Sequence, residues 1–394
     1  MAENNIRIEK IKTKDLNAYA AATIDKAQVG QFIPITKHRA LAMSKNPNAA
    51  PDDVALLLAY QGEEMVGYFG IMPVKLHTKG RSHKAHWFST WSVSSSFLGR
   101  GVGSKLMKAA LDLKQDYFIV GSKPARRVSD KFGFQKLAPY EFTVIDFRLA
   151  ARFNPISLLM RGARKLFNFV GLSLDIRKVD SFAARFFEKL LGSSIRKLLI
   201  NLSAKKAAKG LPPFQSERVD QVRTVNKMES SNQEKTFLWR GDEVVNWMLA
   251  YPWVLPTGQS ESEAYEYNFS DVRPEFELAA HEIHSDGYRG YAIFQFSVIG
   301  ERRVLKVLDV ELLAEQDKDF VLPLALQLAI HKNADSIELS SDYVKSLKAG
   351  MLANLILTKK QRIYQVHPKS QDSPLGKAWP DLHLNYVDGD TPFT

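Results

Sequence analysis

The chain has 394 residues, 45% of them apolar and 25% charged, which is enough for two packed cores. It contains no cysteine, so disulfides, thiolate zinc sites and a cysteine nucleophile are excluded, and no metal is expected. The net charge of +11 is concentrated, with thirteen Lys or Arg against three acids between positions 151 and 210.

The first residues, Met-Ala-Glu-Asn-Asn-Ile-Arg-Ile-Glu, lack the apolar core of a secretory signal. No uncharged apolar run approaches the roughly twenty residues of a membrane span. A cytoplasmic protein is expected.

Ile6 to Ile11 alternates apolar and charged residues and reads as a strand. Asp15–Ala27 and Ile35–Ser44 read as helices. Leu56–Tyr60, the turn at Gln61-Gly62 and Met65–Leu76 read as a hairpin. Trp87–Val93 is rich in aromatic, β-branched and hydroxyl residues and reads as a further strand.

After it come Gly99, Gly101 and Gly103 at alternate positions, opening a helical segment in which Leu106, Met107, Ala110 and Leu111 recur at helical spacing. A strand that passes through such a loop into a helix aims several backbone N–H groups and the positive end of the helix dipole at one spot, which suits an anion such as a diphosphate. The spacing fits neither Gly-x-Gly-x-x-Gly nor the Walker loop. Asp116–Val120 follows as a strand, Pro124 starts a short helix to Lys131, and Tyr140–Phe147 is expected to close the sheet.

Arg100-Gly-Val-Gly-Ser-Lys-Leu-Met after a strand, with Lys131-Phe-Gly-Phe further on, resembles the acyl-CoA-binding core of the GNAT N-acyltransferase superfamily. The resemblance implies a mixed α/β GNAT fold and acetyl-CoA or another acyl-CoA as co-substrate. It places Gly101 and Gly103 in the two glycine positions of the loop that holds the CoA diphosphate. Leu98, Gly99, Arg100, Val102, Ser104 and Lys105 complete that loop, and Trp91, Ser92 and Val93 would face the pantetheine. The family's Gln/Arg position falls on Leu98, with Arg100 as the neighbouring substitute. The tyrosine that many members use as general acid falls on Ser129.

Acyl transfer to an amine also needs a base. No acid lies between Glu64 and Asp112, so the core candidates are His83 and His86, and His86 adjoins the strand that would splay. A packed or surface histidine is the competing reading of His86, and ordinary hydroxyls that of Ser92 and Ser129.

From Arg152 to Lys209 apolar residues and cations interleave at spacings near three and four, as in Leu158, Leu159, Leu166, Phe167 and Val170. Two readings stay open: a helical connector with solvated cations, or a helical hairpin that lies on the inner face of an anionic membrane or docks a lipid-linked phosphorylated substrate. Nucleic acid is disfavoured, since no recognition motif accompanies the charge. Gly210-Leu-Pro-Pro then marks a boundary.

Beyond it Val219, Val222 and Val225 suggest a strand, Phe237-Leu-Trp-Arg and Val244–Ala250 helical turns, and Glu277–Ile283, Gly290–Ile299 and Arg303–Leu312 strands. Phe320–His331 reads as a helix, Ser336–Ser340 as a strand and Val344–Ala353 as a helix. Phe237-Leu-Trp-Arg, Tyr251-Pro and Trp379 to Asp390 resemble two-domain GNAT acyltransferases of bacterial surface-polysaccharide loci. The expected organisation is a GNAT domain over 1–150 with the acyl-CoA site, a basic helical connector over 151–212, and a second GNAT-like domain over 213–394. Val310 to Asp319 holds no glycine, so this second domain is expected to shape an acceptor site rather than bind CoA. Asp309, Asp388 and Asp390 are its candidate substrate-binding acids, or turn caps. The implied activity is N-acyl transfer, by this resemblance to an amino-sugar of a polysaccharide or a lipid-linked precursor. The alternative is an inactive acyl-CoA-binding scaffold of the same fold.

Overall fold

In a computed structural model, described over residues 6–149, 186, 192–223, 235–269, 271–347 and 351–391, two sheets face each other across a shared core. The first half runs β1 (Ile6–Lys12), α1 (Leu16–Lys26), α2 (Lys37–Ser44), β2 (Val54–Gln61), β3 (Glu64–Thr78), β4 (Arg81–Val93), α3 (Val102–Leu111), β5 (Tyr117–Val120), α4 (Lys123–Lys131), β6 (Gln135–Lys136) and β7 (Tyr140–Asp146). The chain continues with α5 (Ser193–Ala207), β8 (Gln215–Val219), β9 (Thr236–Trp239), α6 (Asp242–Ala250), β10 (Leu255–Pro256) and β11 (Val272–Arg273). It ends with β12 (Phe276–His284), β13 (Tyr288–Ile299), β14 (Arg302–Leu312), α7 (Val321–His331), β15 (Ser336–Ser340), α8 (Met351–Ile356), β16 (Leu357–Arg362), β17 (Tyr364–His367), α9 (Pro374–Ala378) and β18 (Leu382–His383).

Strands β1 to β4 form an antiparallel meander, and β4 pairs in parallel with β5 through the crossover helix α3. The second half repeats this plan: β12, β13 and β14 are antiparallel, and β14 pairs in parallel with β15 through α7. Both sheets are therefore mixed, and the architecture is mixed α/β.

The last strands of the two halves are exchanged. Tyr140–Asp146 does not close the first sheet as expected; β7 lies between β15 and β16 in the second. In return β17 inserts between β5 and β6 of the first. The side-chain alternation of each strand explains why it holds this place. Phe142 and Val144 of β7, and Tyr364 and Val366 of β17, all point into the shared core, where they meet Trp87, Phe118, Ile293 and Leu308. The outer face of the first sheet is covered by α3 around Phe69, Phe88, Leu106 and Tyr117, and that of the second by α5 and α7 around Ile200, Phe294, Leu324 and Ile337.

Several second-half expectations change. Thr236–Trp239 is the strand β9 rather than a helical turn, and it extends the first sheet by pairing with Lys75–His77 of β3. Of the strand expected around Val219–Val225, Val219 ends the strand Gln215–Val219, Val222 lies beyond it in the core, and Val225 lies outside the described residues. Within the helix expected over Val344–Ala353, Lys345–Leu347 is a 3-10 turn and α8 starts at Met351, while residues 348–350 lie outside the described residues. The basic connector was expected over Arg152–Lys209; its part up to residue 191 lies outside the described residues apart from Phe186. Its last part is α5, anchored by Arg196 on Asp335. No described helix is long and apolar enough to cross a membrane.

Candidate acyl-donor cleft

Strand β4 stays paired with β5 only from His86 to Phe88, opposite Tyr117 to Ile119. Just past that point β4 bulges: Phe69 faces Trp91 and Ile71 faces Phe88, so Ser89 and Thr90 share the single partner Gly70. The bulge turns the end of β4 away from β5, whose other edge is held by β17. Between the parted strands lies a cleft of about 430 Å³. Trp91, Ser92 and Val93 form one wall, the turn of Phe97 to Ser104 forms the mouth, and Ser122 with Val128 of the α4 region forms the other wall.

The mouth is the N-terminus of α3. Gly101 is its N-cap, with φ 81°, a left-handed backbone that favours glycine. Helix geometry leaves the amides of Gly101, Val102, Gly103 and Ser104 without intrahelical acceptors, and these donors and the helix dipole converge at the cleft. Gly103 is needed for a different reason. A Cβ there would sit 3.2 Å from the Trp91 ring, so any larger residue would push this indole back by a few tenths of an ångström from the first turn of the helix. The Arg100 guanidinium stacks 4.9 Å from the centre of the Phe97 ring at the same mouth, while Leu98 is 66% exposed. Leu98, Gly99, Gly101, Val102, Gly103 and Ser104 of the expected loop thus line the cleft, whereas Arg100 and Lys105 lie outside its lining.

On the other side of β4, Ser92 pairs in register with Tyr68 of β3. Its Oγ accepts a 2.8 Å hydrogen bond from Asn268 Nδ2, and the same hydroxyl interacts with the Tyr68 phenol. Tyr68 is fully buried, and that burial holds its phenol well above the ordinary range. Next to it Arg39 donates to the Tyr267 hydroxyl at 3.0 Å and lies 3.9 Å over the Trp253 ring. Asn268 and Tyr267 belong to a stretch of the second half that lies on the α1–α2 loop, with Glu266 bridging Phe32. Sequence reasoning missed Asn268 and the bulge. The bulge had a signal, Gly70 within an otherwise apolar strand run, whereas the residues around Asn268 carry no periodic pattern.

None of the side chains proposed for proton transfer, His83, His86 and Ser129, lines the cleft. His86 lies where β4 and β5 are still paired, outside the lining; it is 5% exposed, and burial, with Lys84 nearby, pushes its imidazole down to about 4. It is neutral and a weak base at neutral pH. Ser129 is fully buried on the face of α4 turned to β17, where its Oγ lies 2.8 Å from Gln365 Oε1 and 3.1 Å from the Arg126 carbonyl. It acts as a packing hydroxyl.

Asp309 follows the matching bulge of β14 and lines a separate cavity of about 380 Å³ with Arg240, Tyr291 and Glu311. Its carboxylate accepts from Arg240 Nε at 2.9 Å, and Arg240 also binds Asp388. Asp388 and Asp390 are both raised to about 6 chiefly by burial, and Asp388 holds the C-terminal loop through the amide of Asn385. In the 3-10 turn Glu315–Phe320 that leads into α7, the buried Asp317 carboxylate accepts from the Ala314 amide at 3.1 Å.

Residues 25–134 match the family described as Acetyltransferase (GNAT) family. No curated protein matches the chain. Among solved structures, a GCN5-related N-acetyltransferase from Anabaena variabilis aligns at 11% identity and TM-score 0.47, over 93% of this chain and 73% of that one. The N-myristoyltransferase of Saccharomyces cerevisiae with bound myristoyl-CoA aligns at 10% identity and TM-score 0.46, over 93% and 80%. A putative acetyltransferase from Pyrococcus horikoshii aligns at 12% identity and TM-score 0.42, over 99% and 98%.

Proposed function

From a chain whose residues 25–134 carry a domain of the acetyltransferase (GNAT) family, we propose that the protein moves an acyl group, acetyl in the simplest case, from acyl-CoA to an amine. The observation that carries this reading is the cleft where β4 leaves β5, running to the glycine-bracketed N-terminus of α3.

In this reading the amides of Gly101 to Ser104 hold the diphosphate, with Arg100 at the mouth, and the pantetheine runs along Trp91, Ser92 and Val93. The thioester carbonyl lies beside the bulge, where a backbone amide and the Ser92 hydroxyl oppose the charge that develops on its oxygen. The amine nitrogen attacks the carbonyl carbon, the C–N bond forms, and collapse of the intermediate breaks the C–S bond. The proton lost by the amine passes to water, and the departing CoA thiolate takes one from water. Water fits these roles because none of the residues that line the cleft is ionisable, so its walls supply neither a strong base nor an acid. An amino-sugar acceptor, the class implied by the sequence resemblance, is one substrate to assay.

The same ionisable-free lining favours a second reading, an acyl-CoA-binding protein that does not turn over. Calorimetry with acetyl-CoA and a thiol-release assay against a panel of amines separate the two. Binding with release supports transfer, binding without release for any amine supports the scaffold, and absence of binding overturns both.

A further inference from the structure

The described end of the basic connector, α5, covers the outer face of the second sheet together with α7, while α3 and the cleft mouth lie on the outer face of the first. With the two sheets face to face between them, α5 and the cleft mouth occupy opposite layers of the molecule.

Helix α5 carries apolar residues on two sides. Towards the sheet, Leu199, Ile200 and Ala207 are buried, and the buried Arg196 pairs with Asp335. These contacts already anchor the helix. On the outward side, one helical turn apart, Leu198 and Leu202 are 58% and 46% exposed, so neither serves the core. Lys197, Lys205 and Lys209 are exposed around this pair, and among the described residues none of the three is in an ion pair.

The charge around the leucines has one sign. Ser193–Ala207 contains four cations and no acid. A helix whose outer face meets only water is ordinarily laced with Glu–Lys pairs a turn apart, and here no such pair can form. Leucines bracketed by uncompensated lysines match a surface that is apolar beneath and negatively charged above, which is the interface of an anionic bilayer. The lysine stems can lie along its apolar side while their ammonium groups reach the phosphates. A second copy of the chain is the poorer occupant, because a two-fold contact through this face would set the lysines against each other.

We propose that the outward face of α5 docks the protein on an anionic lipid surface, with Leu198 and Leu202 entering the headgroup boundary and Lys197, Lys205 and Lys209 reaching lipid phosphates. The inference does not depend on the acyl-transfer reading. Because the cleft mouth lies in the opposite layer, docking leaves it open to acyl-CoA.

The chain has no cysteine, so Leu198→Cys creates one attachment point for an environment-sensitive fluorophore at an exposed position. Val29→Cys, at a residue 87% exposed in the turn after α1, is the control. The probes are phosphatidylcholine vesicles with and without phosphatidylserine. The Leu198 label should shift to the blue only with phosphatidylserine present, added salt should reverse the shift, and the Val29 label should not respond. In vesicle flotation of the unlabelled full chain, Lys197→Gln, Lys205→Gln and Lys209→Gln together should lower the partition coefficient on the order of a hundredfold, and Leu198→Ser with Leu202→Ser about tenfold. All five positions are exposed, so the unfolding midpoints of both variants should match that of the wild type. No shift at Leu198, an equal shift with neutral vesicles, or flotation unchanged in the lysine variant overturns the proposal. A Leu198 shift that grows with protein concentration in the absence of lipid makes this face a contact between copies and overturns it as well.

Discussion

Ser129 and Gln365 stand 236 positions apart in the chain, yet the Ser129 Oγ donates to the Gln365 Oε1 at 2.8 Å in the interior of the first sheet. The bond exists only because β17 has crossed from the second half, and it turns a residue that aligns with a family general acid into part of the seam between the halves. Gln365 also donates to Asp130 at 2.7 Å, so the whole amide is satisfied within α4.

Ser129→Ala should therefore act on stability and not on transfer. It leaves the Gln365 carbonyl buried without its donor, at a cost of about 1–3 kcal/mol. Denaturant unfolding should show this loss while acetyl-CoA affinity stays the same; a collapse of turnover at unchanged stability would restore the acid role.

Gly103→Glu should abolish acyl-CoA binding. The new Cβ meets Trp91, and the carboxylate faces the spot where the diphosphate is held. One anion against another at contact distance in a half-buried site weakens affinity on the order of a hundredfold or more. Unchanged affinity by calorimetry would refute the loop assignment.

Asn268→Ala removes the donor that orients Ser92. Loss of a group acting through another should lower kcat by roughly tenfold, less than loss of a direct oxyanion donor, with the KM for acyl-CoA unaltered. If KM rises and kcat does not, Ser92 serves binding alone.

His86 predicts a pH effect of defined sign. Its folded-state value, about 4, lies below the ordinary 6.5. Between these values the unfolded chain takes up a proton that the folded chain refuses, so stability is full above pH 6.5 and falls as the pH drops towards 4, by about 3 kcal/mol in all. Asp388 and Asp390, raised to about 6, contribute in the opposite sense over part of that window. The difference between the wild type and His86→Phe isolates the histidine: urea unfolding at pH 7 and pH 5 should show a smaller acid loss in the variant. The pH profile of kcat should keep its acid limb in both, since His86 does not face the cleft.

The cleft was legible because its features are local. Alternating strands, glycines at fixed offsets and an amphipathic helix follow one another within a single stretch from Trp87 to Leu111, and neighbours in sequence are neighbours in space. Partners chosen at long range were not legible. The pattern of Tyr140–Asp146 says strand but not which sheet, and nothing in Tyr364–His367 states that it will sit beside Val120. Phe237-Leu-Trp is a short apolar run whose length fits a turn of helix as well as a strand; pairing with β3 decided it. His86 and Ser129 were of suitable chemical type and close in sequence to the loop, and the direction of each side chain, set by Tyr117 on one side and Gln365 on the other, removed them.

The exchange of β7 and β17 also sets a timetable for the nascent chain. Val120 leaves the ribosome long before Tyr364, so the edge of β5 that β17 will cover stays open while more than half of the protein is still being made. At ordinary elongation rates that is roughly 10–50 s. During that interval an unpaired, apolar strand edge is an invitation to aggregate, and newly made first halves would depend on chaperones until the C-terminal strand arrives.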